Sequence, residues 1–308
     1  MVDLILHHYD FSNYAEKVRL ALGYKSLTWH SVTIPSVAPK PELQQLTGGY
    51  RRTPVLQIGA DIYCDTQLIL RTLERLQPEP TFFPKAYKAL AQTVSHWSET
   101  QLFRPISLYV SGSNPDAFPL SLQADRARMR GLPPPNAVAM KRAAGRNAPL
   151  VRTQLPLIEE MLSDGRQWIL GPETTIADFS IYHALWFITG RTKLLAFELE
   201  PFQGIRSWMQ RMAAFGHGTN LSMTPQQALE IATVANPRPV APSHPFGEDP
   251  PVGKRVRVRA SDYGKDAVEG TLVMIDPHVI TISRNDATLG EIYVHFPRLG
   301  YELRERQR

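Results

Sequence analysis

His7-His8-Tyr9-Asp10-Phe11-Ser12-Asn13-Tyr14-Ala15-Glu16-Lys17-Val18-Arg19 sets a strand end, a serine and a helix start in immediate succession. Upstream, Leu4 to Tyr9 reads as a strand. Downstream, Ala15, Val18 and Leu22 fall at i, i+3 and i+7, one apolar face of a helix over Tyr14 to Leu22. Ser12 is a good N-cap, and the helix end that it opens favours negative charge. A hydroxyl there either caps its own helix or donates to a thiolate held at the same end. A hydrogen bond to a charged group contributes about 1.5–3 kcal/mol. At about 1.4 kcal/mol per unit, such a bond lowers a thiol pKa near ~8.5 by one to two units.

The same alternation continues outward. Leu27 to Ile34 is a second strand candidate, and Pro41 to Leu46 is a short helix ended by Gly48-Gly49. Pro54 to Ile58 and Ile62 to Cys64 form a hairpin across Gly59-Ala60-Asp61, and Gln67 to Leu76 closes the block as a helix. The order βαβαββα predicts a compact α/β unit over residues 1–82, with helices on both faces of a small mixed sheet. Residues 86–235 then read as all-α, through Ala86 to Ser111, Gln154 to Leu162, Ile176 to Phe187, Gln203 to Phe215 and Pro225 to Val234. Pro115, Pro119 and Pro133-Pro134-Pro135 interrupt the stretch between Ser113 and Ala148. Pro237, Pro239, Pro242, Pro245, Pro250 and Pro251 mark residues 236–252 as a semi-rigid linker. Residues 253–308 switch to period two at hairpin spacing, which suggests a small antiparallel β-barrel. In it, Arg255, Arg257 and Arg259 either hold an anion or form the wet face of an edge strand.

Composition narrows the function classes. The chain has 308 residues, 43% of them hydrophobic and 20% charged, in the ordinary range for a globular protein of two or three domains. No apolar run is long enough to span a bilayer, and the first residues lack the regions of a secretory signal, so a cytoplasmic address is expected. The single cysteine, Cys64, cannot form an intramolecular disulfide or a CxxC pair, and sits in an apolar strand as a small buried hydrophobe. Nine histidines show no metal-ligand spacing, and no metal site is expected. The net charge of +5 is concentrated in Arg126, Arg128, Arg130, Lys141, Arg142, Arg146 and Arg152, which face only Asp125. That segment is either a solvated surface or an attraction for anions; no nucleic-acid motif accompanies it.

Two further elements carry chemistry. In Arg51-Arg52-Thr53-Pro54-Val55-Leu56, a proline heads a strand whose ladder it cannot continue. A cis Thr53-Pro54 bond accounts for this and leaves the Thr53 backbone free to pair with an extended ligand. Cys64-Asp65-Thr66 lies at a strand-to-helix junction. There Asp65 or Thr66 caps the helix, or the N–H groups and the Thr66 hydroxyl hold a carboxylate while Asp65 takes an ammonium.

In this order and spacing, over roughly residues 3 to 235, the chain resembles the glutathione transferase superfamily. The resemblance rests on Phe11 to Arg19, Thr53-Pro54-Val55-Leu56, Asp65-Thr66 and Gly171-Pro172-Glu173-Thr174-Thr175-Ile176-Ala177-Asp178-Phe179. In the last of these Thr175 and Asp178 have the spacing of a capping box. It implies a thioredoxin-like N-terminal domain that binds glutathione as co-substrate, an all-α second domain and a homodimer. The implied activity is that of a glutathione transferase, attack of the glutathione thiol on a small electrophile in detoxification. Carried over residue by residue, Ser12 stabilises the thiolate, Thr53, beside Pro54, pairs with the cysteinyl unit, and Asp65 and Thr66 hold the γ-glutamyl end. Lys40 and Arg52 lie where basic side chains meet the glycine carboxylate in theta-like members. The family's usual Gly-Lys-Val-Pro is Arg51-Arg52-Thr53-Pro54 here, a departure at that contact. Ser12 and Ala15 stand where thioredoxins and omega-like transferases carry cysteine, which argues against thiol–disulfide exchange. Tyr9 ends the first strand as the catalytic tyrosine of alpha- and mu-like members does, and rivals Ser12. The electrophile is expected between the domains, near Trp97, Phe103 and Tyr109. Phe215-Gly216-His217-Gly218 and Val294 to Tyr301 resemble a bacterial transferase-like subgroup with an appended β domain. The alternative is a non-catalytic glutathione-binding protein that meets partners through that domain.

Overall fold

The structure is a computed structural model that describes residues 3–190 and 192–306. The opening unit runs β1 (Ile5–His8), α1 (Asn13–Tyr24), β2 (Thr28–Thr33), α2 (Pro41–Thr47), β3 (Val55–Ile58), β4 (Asp61–Cys64) and α3 (Thr66–Leu76). Strand β2 lies parallel to β1, with Ile5 opposite His30, while β3 is antiparallel to β1 and forms a hairpin with β4. Helix α2 stops at Gly48, whose φ of 75° is the left-handed conformation that glycine supplies without strain.

The helical unit comprises α4 (Lys88–Trp97), a π turn over Ser98–Leu102, α5 (Phe103–Ser113), α6 (Leu120–Met129), α7 (Ala137–Met161), α8 (Ile176–Thr189) and α9 (Gln203–Ala213). Helix α8 is its axis and is buried nearly throughout. The Thr175–Asp178 capping box forms, and the Asp178 carboxylate also accepts from Ile169 N at 2.9 Å and Trp208 Nε1 at 3.0 Å. Helix α7 is far longer than the expected Gln154 to Leu162 and runs through Pro149 and Pro156. Both prolines face solvent, while Ala144, Ala148, Val151, Leu155 and Ile158 form an unbroken buried stripe. The burial of that stripe outweighs the two missing donors on the wet face.

Two further features depart from the sequence reading. The first is β5 (Thr219–Ser222), which follows α9 and pairs in parallel with β2, ahead of α10 (Pro225–Val234). All four of its residues are exposed, so no apolar alternation announces it. The second is the C-terminal unit: β6 (Arg255–Ala260), β7 (Val268–Ile275), β8 (Val279–Asp286), β9 (Gly290–Pro297) and β10 (Tyr301–Glu305). It is not a closed small barrel. Strand β9 pairs in parallel with β4, giving one ten-stranded sheet in the order β10-β6-β7-β8-β9-β4-β3-β1-β2-β5. One apolar core joins Ile5, Val55 and Ile62 to Val258, Ile282 and Phe296, so the alternating pattern marks a shared face instead of a private interior. Nor is β6 an edge strand. It lies between β10 and β7, and Arg257 and Arg259 pair across it with Glu269 at 3.0 Å and Glu302 at 2.8 Å.

Candidate functional site

Two cavities meet at the N-terminus of α1. The first, of about 300 Å³, is apolar in depth, with Phe103 of α5, Phe118, Leu122 of α6 and Phe187 of α8 on its walls. Tyr9, Ser12, Arg51, Arg52, Arg126 and Arg130 also line it. The second, of about 190 Å³, is polar and is lined by Thr53, Pro54, Asp65, Thr66, Lys17 and Glu99, among others. Tyr14, Arg52, Thr53 and Tyr263 belong to both walls, so the two spaces are adjoining.

Ser12 lines the apolar cavity, two residues before Tyr14, which belongs to both walls. It is buried and caps α1, its Oγ accepting from Ala15 N at 3.2 Å. As the hydroxyl accepts there, its own proton is left to point at a group in the cavity. Tyr9 is placed differently. Its hydroxyl accepts from Arg126 Nη2 at 2.9 Å and its ring packs on Phe11.

The polar cavity contains groups that the sequence reading missed. Lys17 is almost wholly buried on α1, and its ammonium donates to Glu99 Oε1 at 2.6 Å and to Thr66 Oγ1 at 3.4 Å. Glu99 comes from the π turn and also meets His183 Nε2 at 3.1 Å. Asn13 Nδ2 faces His183 Nδ1 at 2.8 Å, a pairing that suits the neutral imidazole with its proton on Nε2. Burial lowers the His183 pKa, and although burial opposes ionisation of Glu99, Lys17 and His183 hold that carboxyl well below its ordinary range. Lys17 and Glu99 lie on different helices, and a π turn leaves little local signature, so only the fold brings them together.

Asp65 holds a φ of 76°, a costly conformation for a residue with a side chain. It is fixed there as the cap of α3, accepting from Gln67 N at 3.0 Å, and it accepts from the Tyr301 hydroxyl at 3.1 Å. The Thr53-Pro54 peptide is cis. Lys40 is buried, donates to Thr53 Oγ1 at 3.0 Å and lies 5.6 Å from the Tyr9 ring centre. Burial, assisted by the Arg126 charge, lowers its pKa to about 8. Arg52 does not point freely at solvent: Asp262 and the Tyr263 carbonyl of the C-terminal unit hold its guanidinium over the Tyr263 ring. The C-terminal unit thus supplies Ser261, Asp262, Tyr263 and Tyr301 to the wall of the polar cavity. Of the aromatic residues expected at the electrophile, Phe103 lines the apolar cavity. Trp97 and Tyr109 line neither cavity: Trp97 packs against the main core, and the Tyr109 hydroxyl is taken by Glu198 at 2.5 Å on another face of α5.

The family model for the glutathione S-transferase N-terminal domain matches residues 6–81, and that for the C-terminal domain matches residues 143–211. The crystal structure of a GST-like protein from Pseudomonas syringae shares 36% identity with this chain, covers 99% of it and 100% of its own length, and superposes with a TM-score of 0.82. The chain belongs to the glutathione transferase superfamily. Its similarity to that protein runs over all three units, the C-terminal strands included. FtsZ-localized protein A of Caulobacter vibrioides is 24% identical over 184 residues, 58% of this chain and 74% of that protein. The structure of FzlA from C. crescentus aligns at 24% identity over 69% of this chain and 88% of its own, with a TM-score of 0.51. As a superfamily member the chain carries the thioredoxin-type fold, and membership implies glutathione binding. Among the described residues no group of three or more His, Cys, Asp or Glu could hold a metal, and no helix is long and apolar enough to cross a membrane.

Proposed function

We propose that this chain is a glutathione transferase whose Ser12 hydroxyl stabilises the glutathione thiolate for attack on a small electrophile. One observation carries the reading: the buried Ser12 caps α1 on the wall of the apolar cavity, two residues before Tyr14, which that cavity shares with the polar one. In this arrangement Asp65 and Thr66 receive the γ-glutamyl end, with Lys17 and Glu99 as additional charged partners, and the Thr53 backbone pairs with the cysteinyl unit. The thiol proton leaves to solvent. The thiolate, in the field of the helix end, forms a carbon–sulfur bond to the electrophile in the apolar cavity, and either the leaving group departs with the displaced electron pair or the broken π bond's pair takes a proton from solvent. Lys40 supports the Thr53 side from beneath, and Arg52 can meet the glycine carboxylate only by exchanging it for Asp262. The enzyme is proposed to act in detoxification in the cytoplasm. A homodimer is the family expectation; it would not form by strand pairing at β4, whose outer edge β9 covers.

The test is a titration of bound glutathione followed by thiolate absorbance in the ultraviolet, together with calorimetry for binding. A thiolate present well below pH 8 supports the enzyme. Binding without ionisation favours the second reading, a glutathione-binding interaction protein, which the similarity to a protein named for its localisation with FtsZ supports. Absence of binding overturns both.

A further inference from the structure

We propose that the apolar cavity selects electrophiles that carry an anionic group on an apolar body. This deepens the transferase reading and rests on it. Four guanidiniums, Arg51, Arg52, Arg126 and Arg130, reach the cavity wall, and no aspartate or glutamate lines it. Their partners lie behind or outside. Asp125 is buried beneath the wall and pairs with Arg51 and, at 2.7 Å, with Arg126. Asp262 holds Arg52 from the exposed loop of the C-terminal unit, and Asp266 and Asp65 come no nearer than 3.9 Å to Arg51 and Arg52. Arg130 has no carboxylate partner among the described residues: it donates to the Arg126 carbonyl at 3.2 Å and lies 5.3 Å from the Tyr263 ring centre. Lys40, nearby, has its pKa lowered first by burial and then by the Arg126 and Arg51 charges, with Asp125 opposing.

Position turns this charge into selection. The arginines come from the loop before β3 and from the last turns of α6, while the depth of the space is Phe103, Phe118, Leu122 and Phe187. An occupant with an apolar body and a carboxylate, sulfonate or phosphate head satisfies both regions. A neutral occupant leaves Arg130 without its anion, and a cationic one is repelled. Arg51, Arg52 and Arg126 are partly desolvated and discriminate more strongly than the same charges in open water, because the local dielectric is lower, while the exposed Arg130 adds its unpaired charge at the mouth.

A matched pair of fluorescent probes tests this on the full chain: anilinonaphthalene sulfonate and its uncharged parent, phenylnaphthylamine. The sulfonate is expected to bind at least tenfold more tightly, and to lose most of that advantage in molar salt. Arg130→Glu, at an exposed position where folding can be verified by circular dichroism, should weaken the sulfonate more than tenfold and leave the neutral probe within twofold. Equal affinities of the two probes, or equal weakening of both by Arg130→Glu, overturns the proposal. Calorimetry with glutathione alone is run beside it. Intact glutathione binding with undiscriminating probes refutes only this inference, whereas loss of glutathione binding with discriminating probes refutes only the transferase reading.

Discussion

Replacing Ser12 by alanine separates two roles that one oxygen fills. As a cap, Oγ accepts from Ala15 N at 3.2 Å, and losing such a cap costs about 1 kcal/mol of stability, within a range of roughly 0.5–2. As a donor to a bound thiolate, the hydroxyl contributes about 1.5–3 kcal/mol, so Ser12→Ala should raise the thiol pKa by one to two units. If the wild-type value lies near ~7, the ionised fraction at pH 7 falls from about half to a few per cent as the pKa returns toward ~8.5. The conjugation rate should fall by the same factor, and the deficit should close as pH rises past ~8.5. Ser12→Asp distinguishes the roles, since an aspartate caps as well as serine but, when ionised, cannot donate. It should restore the unfolding midpoint and raise the thiol pKa at least as far as alanine does. Ultraviolet titration of the bound thiol and thermal melts of the same samples supply both readouts. Tyr9→Phe should do little, because Tyr9, unlike Ser12, does not cap α1, and its ring packs on Phe11. A shift carried by Tyr9→Phe and absent from Ser12→Ala would refute the reasoning.

Substitutions at Asp65, at the Lys17–Glu99 pair and at Lys40 address the surroundings. Asp65→Asn keeps the cap and tolerates the left-handed backbone, so calorimetry should show glutathione binding weakened more than tenfold with the melt little changed; Asp65→Ala should add a loss of stability of about 1 kcal/mol. Glu99→Gln strands the buried Lys17 charge and should cost about 3–5 kcal/mol in chemical denaturation, and Lys17→Met in the same chain should recover much of it. Lys40→Met removes an ammonium whose folded pKa, about 8, lies below its ordinary 10.5. Both states carry the charge below pH 8, so there the variant should be the more stable, by at most about 3 kcal/mol. Between pH 8 and 10.5 the folded wild type sheds its proton first, and melts across that window should show the gain shrinking.

The opening unit was legible because its signals are local: apolar runs of strand length, a serine before a helix, glycines at turns and a proline at a strand head. Ser12, Asp65 and Thr66 could be named for the same reason, each lying at a helix start adjoining a strand. What stayed hidden depends on contacts remote in sequence. Lys17 reads as one more charge on an exposed helix face until Thr66 of α3 and Glu99 of the π turn meet it. Strand β5 has no buried residue to mark it. The period-two rhythm after residue 253 announces strands but is silent about their neighbours, and pairing of Tyr293 with Asp61 has no local cause. Trp97 and Tyr109 were named for the helix that they occupy; which face of that helix turns to the cavity was set by packing against α7 and α8.

The union of β9 with β4 has a consequence for the order in which the molecule can be finished. The polar cavity draws on Tyr50 and Asp65 from the first quarter of the chain and on Asp262 and Tyr301 from the last sixth. A growing chain therefore completes its first fold long before it completes its ligand site. Until β6 to β10 emerge, the edge of β4 offers unpaired backbone groups, an invitation to the wrong partner. The final strands thus complete the polar cavity and shield that edge together, so the unfinished cavity and the exposed edge last equally long during synthesis.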